Sequence, residues 1–167
     1  MGAREQEKVS KTFKKGTING VTVRELKRFL DHRGWLCELF REDELSEEVM
    51  PVMSYCSLTY PGIARGPHAH KHQTDIFCFV GPGNFEVRLW DNRPESPTYG
   101  VMQKIFAGTD RPMSVIVPPG VVHGYKVVGP EPGLVFNCPN RLYAGRGRMD
   151  EVDEIRYEDH KESPFKL

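Results

Sequence analysis

Along most of the chain apolar residues alternate with polar ones at a period of two, the spacing of a strand with one buried face. The pattern is cleanest from Asn84 to Asp91, where Phe85, Val87 and Leu89 share one face and Glu86, Arg88 and Trp90 the other. Ile76 to Val80 is apolar throughout, which predicts a strand covered on both sides. Further strands are expected from Val21 onward, from Trp35 to Arg41 after a turn at Asp31-His32-Arg33-Gly34, and from Val52 to Tyr60. Shorter ones are expected around Val101 to Phe106, Ser114 to Val117, Val121 to Val128 and Leu134 to Asn137. Gly81-Pro82-Gly83-Asn84 and the prolines at 112, 118, 119, 130 and 132 punctuate them. The acidic segment Glu42 to Glu48 has room for a helical turn that Pro51 would end. No long helical periodicity and no internal repeat interrupts this series, so the expected fold class is all-β, a barrel or sandwich.

Candidate chemistry gathers between two of these strands, in Arg65-Gly66-Pro67-His68-Ala69-His70-Lys71-His72-Gln73-Thr74-Asp75. In extended chain His68 and His70 point to the same side. Adjacent imidazoles turned into a barrel need a metal, a substrate or hydrogen-bonding partners. His72, between Lys71 and Gln73, is expected to face solvent, as are His32 and His160. A further histidine, His123, follows the tight turn Pro118-Pro119-Gly120. Asp75 has two readings, an ion pair with Arg65 or Arg88 or a place beside the histidines.

Gly62, His68, His70 and Asp75, followed by Pro118, Gly120 and His123, resemble the two signature motifs of the cupin superfamily. The resemblance implies a double-stranded β-helix, a jelly-roll barrel, spanning residues 21–149, with an arm over 1–20 and a tail over 150–167 packed on the barrel. Further matches are Asp31 to Glu38, Arg65 to His68, Ser96-Pro97-Thr98-Tyr99-Gly100 and Pro119 to Tyr125. In these the chain is similar to the dTDP-4-dehydrorhamnose 3,5-epimerase family. That resemblance implies a homodimer acting on a nucleotide-linked 4-ketosugar, with no cofactor. Arg33 and Glu38 would help bind the nucleotide and Arg65 a phosphate. His68 would be the base that takes a proton beside the ketone, and Tyr143 the tyrosine nearest to the family's acid.

His70 stands where the family has glutamine, and Asp75 where it has lysine. Both changes run toward a metal site. His68, His70, Asp75 and His123 are together a set suited to one divalent transition ion, Zn, Fe, Mn, Ni or Co. A histidine cannot be ligand and free base at once, so two alternatives stand beside the epimerase. One is a metal-dependent cupin enzyme of another type, an isomerase, dioxygenase or lyase; the other is a non-catalytic cupin that binds a small molecule.

Composition narrows the partners. The 167 residues carry 23 basic and 23 acidic side chains, so no net charge draws the protein to nucleic acid. No apolar run is long enough to span a membrane, and the charged first residues do not read as a signal peptide. Cys37, Cys56, Cys78 and Cys138 lie far apart in apolar or strand-like runs and read as buried cytoplasmic thiols. The expected location is cytoplasmic and the expected partner a small sugar substrate. Arg141 to Arg148 is a basic run near the expected barrel mouth, either a solvated loop or a clamp for a diphosphate.

Overall fold

In the computed structural model, which describes residues 12–167, the alternating segments become thirteen strands. They are β1 (Lys14–Lys15), β2 (Thr22–Glu25), β3 (Arg28–Asp31), β4 (Gly34–Cys37) and β5 (Tyr55–Thr59). Next come β6 (Ala64–Ala69), β7 (Asp75–Phe79), β8 (Asn84–Asp91) and β9 (Val101–Gly108). The last are β10 (Met113–Val117), β11 (Val121–Val128), β12 (Gly133–Asn137) and β13 (Ile155–Arg156). One sheet has the order β1-β9-β8-β11-β6-β13, the other β2-β10-β7-β12-β5; β3 and β4 form a separate hairpin. The two large sheets face each other as an antiparallel jelly-roll barrel, apart from the parallel pairing of β1 with β9. Among the described residues no helix is long and apolar enough to cross a membrane.

The core lies between the sheets and is filled by the residues whose alternation predicted it. Phe77, Phe79 and Val115 of one sheet meet Phe85, Leu89 and Tyr125 of the other. β7 is buried along its whole length, its apolar run because Ile76 and Cys78 face a second cluster with Leu26 and Cys138. β4 ends at Cys37 rather than running to Arg41, because its only partner among the described residues, β3, offers four residues to pair with. The acidic segment holds a single 3-10 turn, Glu42–Glu44. Residues 1–11 of the expected arm lie outside the described residues.

Trp90 departs from simple alternation: it sits on the outer face of β8 and is nevertheless buried. The end of the chain covers it. Phe165 places its ring 5.7 Å from Trp90, with Phe13 and Tyr157 alongside. The Tyr157 amide donates to the Pro67 carbonyl at 2.9 Å, which ties the tail to the strand carrying the histidines.

Candidate active site

β6 and β11 are antiparallel neighbours with His68 opposite His123, and their ring centroids are 4.4 Å apart. The register between these strands slips: His68 pairs with His123 but Arg65 pairs with Tyr125. The additional residue is taken up as a bulge at Gly66-Pro67, the usual means of re-aiming a side chain. Gly66 has φ 81°, and a Cβ there would lie 2.8 Å from the His123 carbonyl oxygen, so only glycine fits. His70 follows the end of β6, and its carbonyl accepts the Gly120 amide at 2.8 Å, joining the two motifs directly. Asp75 opens β7 in the opposite sheet and is fully buried.

These four side chains converge: one ligand atom from each of His68, His70, Asp75 and His123 lies within 4.8 Å of the others. Amide groups fix the carboxylate. Asp75 Oδ1 accepts from Gln73 Nε2 at 2.9 Å and from Asn137 Nδ2 at 2.8 Å. That leaves Oδ2 facing His70 Nε2 at 3.1 Å and His123 Nε2 at 3.4 Å. The far nitrogens of both rings contact carbonyls, His70 Nδ1 that of Asp153 and His123 Nδ1 that of Val121 at 2.9 Å. With a proton on each Nδ1 the Nε2 atoms present lone pairs to a carboxylate oxygen. Asp75 Oδ2 and His123 Nε2 accordingly have no hydrogen-bond partner. Such a cluster needs positive charge at its centre, as ring protons or as a metal ion.

The electrostatics express the same need. Burial would raise the Asp75 carboxyl, but His123 and His70 outweigh it and hold Asp75 well below the usual carboxylate range. Burial would lower His70, but the Asp75 contact, with the Asp153 carbonyl, holds it above its ordinary value. His68 has no such support. Burial, then the charges of His123 and His70, push it down to about 2, so its imidazole is neutral.

A cavity of about 850 Å³ opens above this cluster. His68, His70 and Gln73 form part of its wall, together with Tyr55, Tyr143 and the segment 150–154. Sequence reasoning missed that last segment, which reads as a charged tail. Asp153 accepts the backbone amides of Lys71, His72 and Gln73 at 2.8–3.0 Å, bracing the loop between His70 and Asp75. Glu154 Oε1 lies 4.0 Å from His68 Nδ1, and Oε2 accepts from Arg156 at 2.8 Å. Tyr55 was also missed. Its hydroxyl accepts from Asn137 Nδ2 at 2.9 Å, and burial pushes its pKa up to about 12. The available signal was alternation along β5, which turns Tyr55, Ser57 and Thr59 inward.

Of the residues expected at a site, His68 and Tyr143 line one cavity, and Asp75 and His123 lie beneath it. Asp75 pairs with histidines, not with Arg65 or Arg88. His72 is exposed, yet borders the same cavity. Arg65 donates to Thr59 Oγ1 at 2.8 Å and to the Leu58 carbonyl at 3.0 Å, outside the cavity. Arg33 and Glu38 belong to the β3–β4 hairpin and its exit and do not reach the cavity within one chain; Arg33 pairs with Asp31 and Glu38 with Arg41.

A family model described as dTDP-4-dehydrorhamnose 3,5-epimerase matches residues 15–161. The chain belongs to this family. As a family member it is an enzyme of the sugar epimerase class. The probable low-salt glycan biosynthesis epimerase Agl13 of Haloferax volcanii is 40% identical over 127 residues, covering 75% of this chain and 81% of that protein. The spore coat polysaccharide biosynthesis protein SpsL of Bacillus subtilis is 39% identical over 139 residues, covering 83% and 88%. Among solved structures, a dTDP sugar isomerase from Desulfovibrio desulfuricans G20 matches with a TM-score of 0.77 and 25% identity, over 89% of this chain and 91% of that one.

Proposed function

We propose that this epimerase inverts a carbon next to the ketone of a nucleotide-linked 4-ketosugar, with His68 as the base. The observation that carries the reading is the place of His68, an imidazole on the cavity wall with Glu154 behind its Nδ1. A base of this kind takes the α-proton, and Glu154 steadies the imidazolium that forms. His70, held above its ordinary value beside Asp75, is a source of positive charge near the enolate. Inversion requires a proton from the opposite face, and Tyr143 and Tyr55 are the two tyrosines of the cavity able to return it. Incubating the protein with a dTDP- or UDP-linked 4-keto-6-deoxysugar in D₂O should place deuterium at carbons adjacent to the ketone. Absence of exchange with every such sugar, by a folded protein, sinks the assignment.

A second reading concerns the cluster below His68. The distances of 3.1 Å and 3.4 Å from Asp75 Oδ2 to the two Nε2 atoms match the edges of a coordination polyhedron with bonds of about 2.1 Å. Together with the orphaned Asp75 Oδ2 and His123 Nε2, they support one divalent transition ion held by His70, His123 and Asp75, with His68 as the fourth ligand or left free as the base. Such an ion would polarise the ketone oxygen. Protein purified without chelator should then contain about one equivalent of metal by elemental analysis, and Asp75→Ala should lose most of it. Metal-free wild type, or full retention by Asp75→Ala, counts against this reading.

We also infer a homodimer. Leu30 and Leu36 on the β3–β4 hairpin are 80% and 62% exposed, and with their half-exposed cross-strand partners Trp35 and Phe29 they make both faces of the hairpin apolar, surface that a second copy would cover. Arg33 and Glu38 would then be offered to the neighbouring subunit. Sedimentation at the mass of one chain would overturn it.

A further inference from the structure

The turn Arg146–Arg148 stands out among the arginines of the molecule. Every other described arginine is hydrogen-bonded within the chain, for example Arg93 to Asp91, Arg141 to the His72 carbonyl and Arg156 to Glu154. The guanidiniums of Arg146 and Arg148 have no partner among the described residues, and both residues border the cavity that contains His68. An unpaired arginine on an open surface is ordinary. Two on the rim of one active-site cavity, in a fixed turn, are not.

The turn is built to hold them. The Gly145 amide donates to Leu142, Arg148 to Gly145, and Asp150 to Ala144, at 2.9–3.2 Å. The Asp150 side chain lies so close against Gly145 that a Cβ there would meet Oδ2 at 1.7 Å. Ala144 at φ 53° and Arg148 at φ 59° are the positive-φ residues other than glycine among those described. Such backbone is strained and persists where the surroundings over-determine it. Carboxylates do share the rim, but Asp153 is committed to backbone amides and Glu154 to Arg156. Neither Asp150 nor Glu151 pairs with the two guanidiniums.

We propose that Arg146 and Arg148 are the clamp for the diphosphate of the sugar substrate, a proposal that rests on the epimerase reading of the same cavity. A planar guanidinium presents two parallel donors that match a phosphate edge, and two of them match a diphosphate better than a carboxylate or a neutral sugar. The apolar part of the cavity, with Val52, Met53 and Leu142, is left for uncharged parts of the ligand. Arg65 is engaged by Thr59 and the Leu58 carbonyl and does not line the cavity, which leaves the phosphate contact to the clamp.

The test is calorimetric titration of dTDP, UDP, thymidine and uridine into wild type and into Arg146→Gln, Arg148→Asn and the double variant. Asparagine at 148 tolerates the positive φ, and unchanged circular dichroism confirms the fold. The expected result is that each substitution weakens binding of the better nucleoside diphosphate about ten- to a hundredfold, the value of a charge-assisted contact, with little change for the nucleoside. In turnover, KM should rise with kcat nearly constant, since substrate and transition state share the contact. If wild type binds a diphosphate and the double variant binds it equally well, the clamp is wrong and the epimerase reading survives. If wild type binds neither diphosphate, the nucleotide-sugar reading fails and the clamp fails with it.

Discussion

His68→Asn should lose at least ~10²-fold in deuterium exchange next to the ketone, the usual contribution of a positioned general base, while still binding nucleotide. An amide fills the space and can hydrogen-bond, but cannot take up the proton. The same variant should change the acid response of the fold. In the unfolded chain a histidine titrates near ~6.5. In the native protein, burial and then the neighbouring imidazoles push His68 down to about 2. Between these values the unfolded chain binds the proton and the native one does not. Stability contributed by His68 is therefore full above about 6.5 and falls as the solution is acidified through that window. His68→Asn should show a shallower acid-side decline in urea unfolding experiments. A variant with wild-type exchange, or with an unchanged acid profile, would remove His68 from the role of buried neutral base.

Phe79→Ala should be the most damaging single truncation in the barrel, lowering unfolding free energy by about 3–5 kcal/mol. The side chain has no solvent exposure, and its ring contacts Phe77, Phe85 and Tyr125 at centroid distances of 6.2, 5.2 and 5.6 Å. Those neighbours are fixed on β7, β8 and β11, in both sheets, so the space left behind cannot close. The midpoint of urea denaturation should drop with little change in slope. Phe106→Ala on β9 is the control: that ring is 54% exposed, and its loss should cost no more than about 0.5 kcal/mol. Equal effects of the two substitutions would contradict the packing described here.

The barrel was legible because its physics is local and periodic. Phe85, Val87 and Leu89 announce a buried face two residues apart, and the structure places all three in the core. The histidine motif was legible because His68 and His70 share a parity on an extended chain, and Asp75 and His123 do meet them. What escaped had no period to read. Trp90 is buried by Phe165, a contact between residues far apart in sequence that no alternation encodes. Glu154 and Asp153 sit in a run of charges whose ordinary reading is a solvated surface, and only the folded tail reveals that Asp153 caps three amides of the histidine loop. Tyr55 was hidden for a different reason, since an aromatic in a strand is nearly always packing.

The bracing of the histidine loop by Asp153 has a consequence for how the enzyme comes into being. A ribosome makes the chain from its amino end, so the paired strands from β2 to β12 are complete by Asn137, before Asp153 and Glu154 have been added. A nascent barrel at that point has its histidines but neither the carboxylate that fastens their loop nor the one behind His68. Phe165, which covers Trp90, comes later still. The histidine loop is thus fastened only by residues made after the barrel strands, and a chain that stops at Asn137 would have the histidines without Asp153 to brace them.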